Sequence, residues 1–137
     1  MLIQIEHAGY LYVGAGNNTN GVKLWRSADG AHWDPVSITP FANSHDLVSY
    51  DFMSSAVLDS IYYVSVARAN GLQVWRTTDF VAWEQILWDG FGDSNNTRGW
   101  LTAFGKRLYV GTGNDANGSE VWLYLSNRTY LPVALRQ

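Results

Sequence analysis

LYVGAGNNTNGVKLWRSADGAHWDPV, residues 11–36, returns as IYYVSVARANGLQVWRTTDFVAWEQI at 61–86 and as LYVGTGNDANGSEVWLYLSNRTYLPV at 108–133. One unit is written three times, so the chain is a repeat array rather than a unique fold. Laid over one another without a gap, the copies superpose Trp25 on Trp75 and Trp122, Gly21 on Gly71 and Gly118, and Trp33 on Trp83 and Tyr130. The intervals between those first tryptophans are 50 and 47 residues, too regular for chance. Residues that repeat are expected to serve architecture, and residues that break the repeat are where chemistry should be sought.

Within each copy, short runs of β-branched and aromatic residues alternate with Gly, Asn, Asp and Ser, and no stretch keeps a helical period. The runs predict four strands per unit. They fall at 2–6, 10–15, 22–26 and 33–37; at 48–53, 61–67, 72–76 and 83–88; and at 100–104, 108–112, 119–124 and 130–134. Units of this length holding four strands match a β-propeller blade. The fold class is therefore all-β, with three four-stranded antiparallel blades at about 1–45, 46–95 and 96–137. Pro35 and Pro132 support it, because they fall at the same place in a fourth strand, an outer edge where a missing N–H breaks no ladder bond. So do Asn20-Gly21, Asn70-Gly71 and Asn117-Gly118, which sit between second and third strands where a turn with positive φ is needed.

Composition narrows the function classes. Seven Trp, eight Tyr and five Phe in 137 residues supply ample core, while Lys and Arg are scattered and the net charge is -3. With no basic stripe to neutralise phosphates, nucleic acid is not an expected partner. No apolar run reaches the length of a membrane helix, and Met1 leads into Leu-Ile-Gln-Ile-Glu without a basic, apolar leader, so a soluble chain is expected. There is no cysteine, hence no disulfide framework or thiolate metal site, and no cofactor or metal centre is predicted.

The turn between third and fourth strands has the sharpest local signal: Ser27, Asp29, Gly30 and Trp33, echoed by Thr77, Asp79, Phe80 and Trp83. It resembles the Asp-box, or BNR, repeat of sialidase-like propellers. The match has departures: the turn is one residue shorter, Phe80 replaces Gly30, and Ser126 and Tyr130 stand where the third unit should carry Asp and Trp. In physical terms the Asp accepts N–H bonds within the turn, the hydroxyl braces it, and the Trp is expected to fold between blades, with Trp25, Trp75 and Trp122 packed in or between them. The box reads as a folding staple.

The resemblance implies one enzymatic alternative, a sialidase-like glycoside hydrolase, which would need an arginine cluster with a Tyr and Glu nucleophile pair. Here Arg26 and Arg76 are repeat positions, no motif ties three other arginines together, and His7, His32 and His45 occupy unrelated places in the unit. No catalytic residue is predicted. A binding module fits better. Loops between second and third strands share one face with the connections between blades and carry Asn17, Asn18, Asn20, Arg68, Asn114, Asp115 and Asn117, joined by Asp93, Asn95, Asn96, Arg98 and Trp100 from one connection. Amides and carboxylates beside an aromatic ring suit sugar hydroxyls and pyranose faces, so a lectin-like carbohydrate ligand is expected. The competing reading is that Asn, Asp and Gly are simply turn formers.

Assembly follows from counting blades. Propellers close with four to eight, and three cannot close a ring alone. The expectation is a homodimer completing a six-bladed ring, the alternative being a piece of a longer propeller.

Overall fold

The alternating runs form twelve strands, and each blade opens on a tight hairpin whose two turn residues both have positive φ. These turns are Ala8-Gly9 (49° and 79°), Asp59-Ser60 (50° and 62°) and Gly105-Lys106 (54° and 62°), the left-handed pair that matches the right-handed twist of the flanking strands. The computed structural model describes residues 4–17, 21–38, 54–126 and 129–134. Blade 1 holds β1 (Gln4–His7), β2 (Tyr10–Asn17), β3 (Gly21–Ser27) and β4 (Asp34–Val36). Blade 2 holds β5 (Ser54–Leu58), β6 (Ile61–Val66), β7 (Gln73–Thr77) and β8 (Glu84–Leu87). Blade 3 holds β9 (Arg98–Phe104), β10 (Arg107–Gly113), β11 (Val121–Ser126) and β12 (Thr129–Ala134). Every sheet is an antiparallel meander in chain order, and no helix occurs among the described residues. These are propeller blades, with Pro35 and Pro132 on the outer strands β4 and β12.

Two sequence expectations need correction. The first strand of blade 2 is Ser54–Leu58 rather than 48–53, a stretch that lies outside the described residues; the turn Asp59-Ser60 pairs Leu58 with Ile61 and fixes the strand there. The second concerns the gapless repeat. Val13 lies opposite Trp25 and Val110 opposite Trp122, whereas Trp75 lies opposite Val64. Counted from the shared tryptophan, β6 is therefore displaced by one position, so Tyr62 and Tyr63, not Ile61 and Tyr62, are the counterparts of Leu11 and Tyr12. A one-residue shift exchanges the two faces of a strand, and the loop after β6 is one residue shorter to accommodate it.

With the registers aligned, each blade has a forward face, turned to the next blade, and a rear face. The forward face of blade 1 presents Ile5, Tyr12 and Leu24 to Tyr62, Val64, Val66 and Trp75 on the rear of blade 2, all in one buried cluster. The forward face of blade 2 presents Tyr63, Val74 and Leu87 to Leu101, Leu108, Val110 and Tyr124 on the rear of blade 3. Between blades 2 and 3, β9 lies against β5 and β6, and two serines lace them: Leu101 N–H donates to Ser54 Oγ at 3.0 Å, and Ser65 Oγ–H donates to Gly99 O at 2.7 Å.

Both complete boxes are closed staples. Asp29 Oδ1 accepts N–H bonds from Ala31 and His32, each 2.8 Å, while Ser27 Oγ accepts from Gly30 N–H at 2.8 Å. Asp79 and Thr77 repeat this with Val81, Ala82 and Phe80. The tryptophans behave differently from one another. Trp83 packs against the buried cluster and meets Phe80 edge-on, but Trp33 is 38% exposed rather than folded between blades, because it stands on the rear of blade 1, where no blade packs among the described residues. In blade 3 the ladder runs on to Ser126 opposite Thr129, in place of a box.

Candidate functional site

The register puts two kinds of surface at opposite ends of the blades. One end carries the two-residue hairpins and the boxes. The other carries the loops after β2, β6 and β10 together with the connection from Trp88 to Thr97. At this second end the polar loops of blades 2 and 3 knit into one network.

Asn96 lies at its centre with none of its surface exposed. Its Nδ2 donates to Gly90 O at 2.8 Å and to Glu120 Oε2 at 3.2 Å, and its Oδ1 accepts from Asn114 Nδ2 at 2.9 Å. Glu120, also buried, accepts from the Trp122 indole at 3.0 Å. Asn114 Oδ1 caps the next turn, accepting from Ala116 and Asn117 N–H at 3.1 and 2.7 Å. Above this layer Asp93 Oδ2 accepts from Asn114 and Asn117, each at 3.0 Å, and its Oδ1 accepts from Asn95 N–H at 2.9 Å. The Asn95 backbone bond, with the amides of Asn117 and Asn114, holds the Asp93 carboxyl down at about 2, which suits a permanently ionised acceptor and not a general acid.

A second group lies beside it. Arg98 pairs with the outermost carboxylate, Asp115, and Trp100 is 47% exposed. Gly113 makes room for both side chains: a Cβ there would lie 2.9 Å from Arg98 Nε and 3.2 Å from the Trp100 ring. Guanidinium and indole thus meet over one glycine on the forward face of blade 3, with the Asp115 carboxylate on the guanidinium.

The sequence-predicted ligand residues sort accordingly. Asn18 and Asn20 lie outside the described residues, and Asn17 ends β2. Asn96, Asn114 and Arg68 are buried, at 0%, 5% and 4% exposure, and so lie beneath the loop face rather than on it. Asp93, Asn95, Asn117, Arg98, Trp100 and Asp115 remain at the surface. The sequence does not reveal that Glu120 belongs to this network, because its role depends on Asn96, 24 residues earlier in the chain. Among the described residues no cluster of His, Cys, Asp and Glu is arranged to hold a metal.

The opposite end has a crevice of about 330 Å³ lined by Ile61, Arg76, Thr77, Thr78, Trp83 and Glu84. Its arginine is already engaged: Glu84 takes Arg76 Nε at 2.8 Å and Nη2 at 2.7 Å, and Nη1 donates to Tyr124 OH at 3.3 Å.

No family model and no curated protein sequence matches this chain. Solved structures do. The GH43B protein of the Bacteroides ovatus xyloglucan PUL superposes with a TM-score of 0.66 over 99% of this chain and 29% of its own, at 10% identity. An endo-arabinase from Bacteroides thetaiotaomicron gives 0.59 over 96% of this chain and 54% of its own, at 12% identity. The Bombyx mori GH32 beta-fructofuranosidase gives 0.58 over 99% and 36%, at 14% identity. The chain spans from under a third to just over half the length of these proteins. At such identities the likeness concerns the fold, and it is the fold of β-propeller enzymes.

Proposed function

We propose that the chain is a non-catalytic carbohydrate-binding module made of Asp-box propeller blades, with its ligand surface at the rim of blade 3. The observation that carries this reading is the meeting of Arg98, held by Asp115, and the half-exposed Trp100 over Gly113. A planar ion pair offers hydroxyls paired donors and acceptors, and an exposed indole offers a face for sugar CH groups. Asp93, Asn95 and Asn117 extend the polar surface alongside. The buried network beneath fixes these loops before a ligand arrives, which lowers the ordering cost of binding.

A glycan array tests it, followed by titration calorimetry with the best binder. Binding without turnover is expected, and Trp100→Ala should weaken it about tenfold, the scale of one lost aromatic contact. An array without signal would overturn the reading. The neighbours favour a second reading, since their names are those of glycoside hydrolases. Release of fluorophore from aryl sialosides or arabinofuranosides, abolished by Arg98→Ala, would establish that reading instead.

A further inference from the structure

Three tyrosines occupy one repeat position on the forward faces: Tyr12, Tyr63 and Tyr109. Tyr12 is 4% exposed beneath blade 2 and Tyr63 is 3% exposed beneath blade 3. Among the described residues no blade lies over Tyr109. Around it the forward face of blade 3 leaves Phe104 75% and Leu131 49% exposed. The rear faces show the complement. Tyr62 and Leu108 are 4% and 0% exposed, while their counterpart on blade 1, Leu11, is 40% exposed, with Trp33 beside it on the same face. The chain therefore has one forward face and one rear face whose equivalents elsewhere in the same molecule are joined to each other.

We propose that the forward face of blade 3 docks the rear face of blade 1 of a second copy, so that two chains close a ring of six blades through two identical joints. The joint continues the stacking already made twice within the chain, forward face on rear face, and this identifies the occupant as a blade of the same kind. Charge agrees with it. At the hairpin end of the inner strands the forward face of blade 3 carries exposed Arg107, and the rear face of blade 1 carries exposed Glu6, opposite charges that favour this pairing over forward against forward. Apolar sheet faces of this sort are rarely left to solvent, and a rotation that closes gives a ring rather than a fibre. Arg98 and Trp100 stand on this same forward face, opposite Gly113 and Gly111, so the joint would cover them and the two proposals compete for one surface; a dimer that still binds glycan with Trp100 in the joint would separate them.

Sedimentation velocity of the chain across the micromolar range tests it, with twice the 15.3 kDa chain mass expected. Two blocked variants define the faces: Phe104→Asp with Leu131→Asp on the forward side, and Leu11→Asp on the rear. All three positions are at least 40% exposed, so circular dichroism should remain that of the parent. Each variant alone should be monomeric, its self-association weakened about a hundredfold or more by the charges placed in the joint. Mixed together they should form a heterodimer held by the one intact joint. A parent that stays monomeric, one that grows into larger open assemblies, or a Leu11→Asp variant that still dimerises would each overturn the proposal.

Discussion

Phe80 occupies a position where its counterpart is Gly30, and both have positive φ, 59° and 76°. A bulky residue in the left-handed region costs about 1 kcal/mol or more. What offsets it is burial: the ring is 2% exposed, stacks on Tyr12 at 3.9 Å and 13°, and meets Tyr62 at 4.6 Å. Blade 2 thus uses the box turn to send an aromatic plug into blade 1. Phe80→Ala should lower stability by about 3 kcal/mol or more, as for other buried aromatic truncations. Phe80→Gly should lower it by about 1 kcal/mol less than Ala does, despite removing more atoms, because glycine alone relieves the strain. Urea denaturation of the pair measures this, and the reverse order would refute the role assigned to φ. The box carboxylates make a second residue-level prediction. Asp29 is held well below the ordinary value of 3.8 by the His32 N–H, the His32 side chain and the Ala31 N–H, and Asp79 is lowered by the Val81 and Ala82 N–H groups. A depressed folded pKa contributes stability that is complete above the unfolded value and is lost as pH falls through the folded one. Urea midpoints should therefore drop below about pH 4, and Asp29→Asn should flatten that drop while lowering the midpoint near neutrality.

At the scale of elements, a tight backbone contact lies where the loop after β6 meets the connection to blade 3. Gly71 has φ 113°, and a Cβ on it would lie 2.6 Å from the Asp89 carbonyl carbon. The neighbouring chain cannot give way easily, because Leu72 N–H donates to Asn96 O at 2.6 Å and Gly90 N–H donates to Leu72 O at 3.0 Å. Gly71→Ala should cost about 2 kcal/mol or more. Gly9→Ala is the control, with φ 79° and nothing within 4 Å of its Cβ; its cost should be about 1 kcal/mol, the conformational part alone. Equal thermal shifts for the two would refute the contact. This loop also marks the limit of what the sequence reveals. Four strands per unit, the outer-edge prolines and the box turns are legible because each is written in local chemistry. The displacement of β6 is not, because Ile61, Tyr62, Tyr63 and Val64 are apolar at both parities and fit either register; pairing with Trp75 decides. In the same way Asn95 and Asn96 read alike as polar loop residues. One stays exposed and the other is buried, since only Asn96 meets both Glu120 and Asn114.

At the scale of the whole molecule, both joints between blades are built on buried apolar clusters. The joint between blades 2 and 3 combines its apolar cluster with Leu101 to Ser54, Ser65 to Gly99, Arg76 to Tyr124 and Tyr130 to Ile86 hydrogen bonds. Phe91 also stacks on Trp122 at 4.5 Å and 3°. Across the joint between blades 1 and 2, Tyr62 OH donates to Glu6 O at 3.4 Å, beside the Phe80 plug. In repeat arrays stability is approximately a sum of unit and joint contributions, so the joint carrying these four hydrogen bonds should open last. Hydrogen exchange should be measured in the Phe104→Asp, Leu131→Asp chain, which removes any joint between copies. Amides of β2 and β3 should then exchange at least about tenfold faster than those of β6, β7 and β10, a gap of about 1.4 kcal/mol in opening free energy. Phe80→Ala should widen that gap by speeding exchange in blade 1 while leaving β10 and β11 unchanged, because the plug contributes to only one of the two joints. Uniform exchange across all three blades, responding equally to Phe80→Ala, would mean that the chain opens as one unit and that the difference between the joints has no energetic weight.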